Sequence, residues 1–149
     1  MAQELLCCTQ SWRISVFTEY GSPMPIHNPP HILIIDADAS AAQVTRSLVL
    51  RVNPSATWSI EPTAERGSRS ADAHPPDVLI IDPNPIDMEA TRLMQHVRSD
   101  CPDARIIVLS SSTTPTLRRY MYEIGADLFF EKPSAPAGLF AGLRMALQS

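Results

Sequence analysis

The sequence predicts an α/β fold: a five-stranded parallel sheet, doubly wound, strand order 2-1-3-4-5, with helices on both faces. Three observations carry this. Pro76-Asp77-Val78-Leu79-Ile80-Ile81-Asp82 places four consecutive apolar residues, three of them β-branched, between Pro76 and Pro83, as in a strand buried on both faces. His31-Ile32-Leu33-Ile34-Ile35-Asp36 repeats the pattern, and both runs end on a carboxylate. Helix-period stretches separate these runs from each other and from three further strand-like segments, which implies right-handed parallel crossovers.

Residues 1–30 differ in character from the rest of the chain. They carry Gly21, Pro23, Pro25, Pro29 and Pro30 without a sustained apolar period, and are expected to be a poorly ordered extension. Within them Ser11 to Tyr20, with Trp12, Ile14, Val16 and Phe17, can add a strand or cover an apolar patch. Residues 31–149 form the expected domain. After Asp36, Asp38 is placed to cap a helix reaching about Val52, with Ala41, Val44 and Leu48 on its buried side and Asn53-Pro54 as its stop. Thr57 to Ile60 alternates, as an edge strand does, and Glu61 to His74 holds either a short helix or a loop.

Beyond Asp82, Pro83-Asn84-Pro85-Ile86 makes a rigid loop. A helix is expected from about Asp87 to Ser99, burying Met88, Leu93, Met94 and Val97. Arg105 to Leu109 is the fourth strand, followed by Ser110-Ser111-Ser112. Thr113-Thr114-Pro115 opens a helix through Ile124, which Gly125 closes. Asp127 to Glu131 is the last strand and Lys132-Pro133 ends it. Pro136 to Leu147 forms the final helix.

In an open parallel sheet, ligands bind beyond the carboxyl ends of the strands. The predicted order gathers Asp36, Asp82, Ser110 and Lys132 there. Two carboxylates beside a cation and a hydroxyl suit phosphoryl transfer to an aspartate, where catalysis rests on positioning and on neutralising the phosphoryl oxygens. Mg²⁺ suits the carboxylates, because it takes hard oxygen ligands and usually only one or two of them from protein. Lys132 would pair with one phosphoryl oxygen and Ser110 would donate to another.

From about Ile32 onward the chain resembles the receiver domain of two-component response regulators. The matching pieces are Ile-Leu-Ile-Ile-Asp36, Pro-Asp-Val-Leu-Ile-Ile-Asp82, Ile-Ile-Val-Leu-Ser110-Ser111 and Gly-Ala-Asp-Leu-Phe129-Phe-Glu-Lys132-Pro133. The resemblance implies a flavodoxin-like fold and phosphorylation of Asp82 by a histidine kinase or histidine phosphotransfer protein. It further implies Mg²⁺ held by Asp36, Asp82 and the backbone carbonyl of Asn84, phosphate contacts from Lys132, Ser110 and Ser111, and a switch using Ser110 and Phe129. In that switch Ser110 moves toward the phosphate and Phe129 turns inward, repacking the last two helices and last strand, where a downstream protein or a second copy docks. With no output domain after the last helix, a single-domain receiver is expected.

Two positions depart from the family. Its second acid at the end of the first strand, the direct metal ligand, is here Ala37, which should weaken Mg²⁺ binding; Asp38 is a candidate replacement, although its expected work is the helix cap. The loop after Asp82 has its prolines early, and Glu89 or Ala90 stands where a Gly is usual. Ala37 supports a second reading, a degenerate receiver acting as a phosphorylation-independent interaction or dimerisation module. A third resemblance, to haloacid-dehalogenase-like phosphatases with Asp36 as nucleophile and Asp38 as general acid, lacks the acidic pair that family needs after the lysine.

Composition agrees with one soluble domain: 149 residues, 44% apolar and 19% charged. A net charge of -4 argues against nucleic acid or a membrane surface as partner. Cys7, Cys8 and Cys101 match neither a disulfide framework nor a metal spacing, and with no signal peptide or membrane-length apolar run the expected setting is the reducing cytoplasm.

Overall fold

The computed structural model describes residues 16–17, 23–24, 28–83, 88–112, 114–132 and 136–148. Its centre is a five-stranded parallel sheet of β1 (His31–Ile35), β2 (Thr57–Glu61), β3 (Val78–Ile81), β4 (Arg105–Ser110) and β5 (Leu128–Glu131), in the order β2-β1-β3-β4-β5. The expected strand order is therefore the observed one. Near the chain start, Val16–Phe17 and Pro23–Met24 pair antiparallel as a separate two-stranded ladder.

Five helices cover the sheet: α1 (Ala39–Val52), α2 (Ala64–Ala73), α3 (Met88–Asp100), α4 (Pro115–Glu123) and α5 (Pro136–Gln148). Two cores result from strand alternation. Leu33, Ile35, Leu79, Ile81, Ile106 and Val108 face one way and pack with residues of α2, α3 and α4. Ile32, Ile34, Val78, Ile80, Ile107 and Leu109 face the other way, against α1 and α5. With both faces covered, the interiors of the three central strands are apolar, which is why they read as continuous apolar runs, and polar residues come at strand ends.

The Glu61–His74 stretch resolves as α2, capped by the Thr63 hydroxyl, which accepts from the Arg66 N–H. Gly67 lets α2 sit close to the sheet, since a Cβ there would lie 2.3 Å from Ile35 Cδ1. Two helix faces differ from expectation. On α1 the buried stripe is Ala42, Thr45, Leu48 and Val49, and Val44 is 60% exposed. On α3, Leu93, Met94 and Val97 are buried as expected, but Met88 is 68% exposed at the helix start. A helix keeps inside the residues whose stripe meets the sheet, and Val44 and Met88 lie off that stripe.

The Arg98 guanidinium on α3 donates to the carbonyls of Ala104 and Gly125 and, at 2.7 Å, to the Asp127 carboxylate. It thereby fastens the corner where Gly125, at φ 122°, turns the chain from α4 into β5. Cys101 is buried, and the other two cysteines lie outside the described residues. No described helix is long and apolar enough to cross a membrane.

Candidate functional site at the carboxyl ends of the strands

Sheet hydrogen bonding continues one residue past three strand ends, and this sets the level of the site. The Asp36 N–H donates to Glu61 O (3.1 Å), the Asp82 N–H to Ile35 O (2.9 Å) and the Lys132 N–H to Ser110 O (2.7 Å). The residues that terminate β1, β3 and β5 are thus fixed by backbone pairing rather than by loops. Ile35 pairs with Ile81 in the ladder, so Asp36 and Asp82 come next, side by side.

Between them stands Lys132. Its ammonium donates to Asp36 Oδ2 at 2.5 Å and to Asp82 Oδ2 at 2.7 Å. The Asp36 side chain is 4% exposed and that of Asp82 14%, so the ion triad is largely withdrawn from water. Burial by itself would lower the pKa of the Lys132 ammonium, but its hydrogen bonds to Asp36 and Asp82, and their charges, outweigh burial and raise it above the ordinary value. Lys132 therefore stays charged, and with two of its three protons engaged it retains a third donor.

Asp36 is held a second time, by the Asp38 N–H donating to Oδ1 at 2.9 Å. The Asp38 carboxylate itself turns to α1, accepting from the amides of Ser40 (2.9 Å) and Ala41 (3.2 Å). It is the N-cap the sequence anticipates. Among the described residues no group of three His, Cys, Asp or Glu side chains is arranged to hold a metal. Two hard carboxylates do fit Mg²⁺, which keeps most of its waters, and Asp36 and Asp82 are the residues that would hold it. Asn84, the source of the expected backbone ligand, lies outside the described residues, as does most of the loop after Asp82.

Ser110, at the end of β4, is buried, and its Oγ accepts from the Ser112 N–H at 3.1 Å, leaving its hydroxyl proton to donate elsewhere. Ser111 is exposed. Phe129, the other expected switch residue, faces inward in this structure. Its ring is 5% exposed, part of the core cluster that also takes in Leu117 and Met121 of α4, with the Arg118 guanidinium 5.0 Å from its centroid.

One polar cluster was missed by sequence reasoning. At the opposite pole of the sheet, buried His31 opens β1, and its ring is bonded on both nitrogens and stacked on His74. The available signal was a histidine heading an otherwise apolar buried run.

A family model described as the response regulator receiver domain matches residues 32–144. Among solved structures, a CheY-like response regulator receiver domain protein from Methanospirillum hungatei JF-1 is 22% identical at a TM-score of 0.70, covering 80% of this chain and 94% of that one. A response regulator from Thermotoga maritima is 16% identical at a TM-score of 0.71, over 81% of this chain and 99% of the other. The chemotaxis protein CheY4 of Vibrio cholerae is 21% identical at 0.69, over 80% and 99%. At these identities the likeness is one of fold. No curated protein matches the chain.

Proposed function

This chain belongs to the response regulator receiver family, and from that premise we propose that Asp82 accepts a phosphoryl group from a histidine kinase or a histidine phosphotransfer protein in the cytoplasm. The observation that carries the reading is Lys132 bridging the carboxylates of Asp36 and Asp82 at one end of the sheet.

In the proposed step an Asp82 oxygen forms a bond to phosphorus as the bond from phosphorus to the donor's imidazole nitrogen breaks, and the imidazole leaves with that electron pair. Lys132 orients the acceptor carboxylate and directs its remaining proton to a phosphoryl oxygen. Ser110 donates its hydroxyl proton to a second oxygen, and Ser111 lines the rim. Asp36 and Asp82, with the Asn84 carbonyl as further ligand, would hold Mg²⁺, which would supply charge neutralisation at the phosphoryl group. The chain performs no other chemistry in this reading. Its output is protein contact through α4, β5 and α5, where Tyr120 and Tyr122 are partly exposed, with a downstream protein or a second copy. In this reading Ser110 moves toward the phosphate and the inward ring of Phe129 sets the packing of that surface.

A second reading, the phosphorylation-independent module, draws on Ala37 and on the commitment of Asp38 to its helix cap. Beryllofluoride, which stands in for the acyl phosphate on a carboxylate, separates the two. NMR shifts around Ser110 and α4 that require both beryllofluoride and Mg²⁺, and vanish in Asp82→Asn, are expected. A spectrum unmoved at millimolar Mg²⁺ would replace the phosphoacceptor reading with the module.

A further inference from the structure

The second polar cluster lies at the amino ends of the strands, the pole opposite Asp82. His31 opens β1 and is 4% exposed. Its ring meets Thr57 Oγ1 of β2 at 2.8 Å through Nδ1 and Ser59 Oγ at 3.2 Å through Nε2. Its backbone N–H donates to Asp77 Oδ2 at 2.7 Å, and its carbonyl accepts from the Asp77 N–H at 2.8 Å. The exposed ring of His74, the C-cap residue of α2, lies flat on it, centroids 3.8 Å apart and planes 7° from parallel. One imidazole thus joins the first strand, the edge strand and the connection from α2 to β3.

We propose that His31 and His74 form an acid-sensitive clasp: the stacked neutral rings hold the α2–β3 connection against β1 and β2, and protonation of the pair releases it. Parallel rings in van der Waals contact repel strongly once both carry a positive charge. The groups facing His31 are the hydroxyls of Thr57 and Ser59 from β2, and His74 and Asp77 from the connection. Asp77 is the one anion among them, too little for two imidazolium ions. Asp72, two residues before His74 at the end of α2, is engaged by His96, and Glu61, further along β2, by Arg66. Burial, with the neighbouring His74 adding to it and Asp77 opposing, lowers the His31 pKa to about 4, so the clasped His31 ring is held neutral. Opening would free the end of α2, a helix already weakened by Gly67, Ser68 and Ser70.

The test tracks the ring protons of the chain's four histidines by NMR from pH 7.5 to 4.5, assigned by single His→Gln variants, together with amide exchange at Asp77 and Val78. His31 is expected to titrate last, and the Asp77 amide to lose protection by about tenfold more than the central strands between pH 7 and pH 5. His74→Phe keeps a flat ring that cannot protonate and is expected to lessen that extra loss, leaving the part set by the burial of His31. The clasp is overturned if His31 titrates with the exposed histidines, if Asp77 keeps its relative protection at pH 5, or if His74→Phe opens as the wild type does. None of these readouts depends on Asp82 or on phosphorylation.

Discussion

Replacing Lys132 with Met removes the cation between Asp36 and Asp82 while preserving most of the side-chain volume. The Oδ2 atoms of the two carboxylates both contact Nζ, so they lie within about 5 Å of one another. At an effective dielectric of about 20, two unit charges at that separation repel by about 3 kcal/mol. This agrees with the ~3–5 kcal/mol typical when one partner of a buried pair is removed. The expected loss of stability in Lys132→Met is therefore about 3 kcal/mol at pH 8 in chelator, where no divalent cation replaces the ammonium. The sign of its pH dependence comes from linkage. Without Lys132 the like charge raises the folded-state pKa of one carboxyl above its unfolded value, so the deficit is full at high pH and shrinks as pH falls through the raised pKa. Adding Asp36→Asn should recover most of the loss, a coupling that a double-mutant cycle measures. Urea unfolding at pH 8 and pH 5 is the assay. Equal midpoints for Lys132→Met and wild type at pH 8, or a deficit unchanged at pH 5, would refute the reasoning.

Three other outcomes are expected. Gly142→Ala should lose ~1–3 kcal/mol by overpacking, because its Cβ would lie 2.3 Å from Phe130 Cζ and push α5 off β5; thermal unfolding reads this. Asp38→Ala should lose about 1 kcal/mol through the α1 cap, whereas Asp38→Asn should keep both the cap and the Mg²⁺ affinity; a weakened affinity in Asp38→Asn would make Asp38 a ligand. His31, with its folded pKa lowered to about 4 from 6.5, contributes stability that is present above the unfolded pKa and lost as pH falls toward the folded one. Between pH 7 and pH 5 the loss is about 2 kcal/mol, and a His31→Gln chain should show a correspondingly flatter stability profile.

The sheet was legible because the interiors of strands buried on both faces are apolar, as residues 32–35, 78–81 and 106–109 are. The site was legible for a related reason: Asp36, Asp82 and Lys132 interrupt apolar runs at their carboxyl ends, where the parallel topology brings them together. Asp38 was legible as a cap because capping is local chemistry within three residues. The buried face of α1 was read from the wrong residue because Val44 and Val49 are equally apolar, and only the angle at which the helix meets the sheet selects Val49.

The sequence by itself determined what depends on neighbours along the chain: the alternation of strands and helices, the helix caps at Asp38 and Thr114, and the polar residues that end the strands. Tertiary structure alone decided what depends on residues far apart. Lys132 is 96 and 50 positions from the carboxylates it bridges, and Phe129 is inward because Arg118 and Leu117 of α4 cover it. His31 is neutral and buried because Thr57, Ser59, His74 and Asp77 arrive around it from three other segments. A local pattern fixes which side chains are offered to a site. The dielectric and the charges they meet there are set by the rest of the fold.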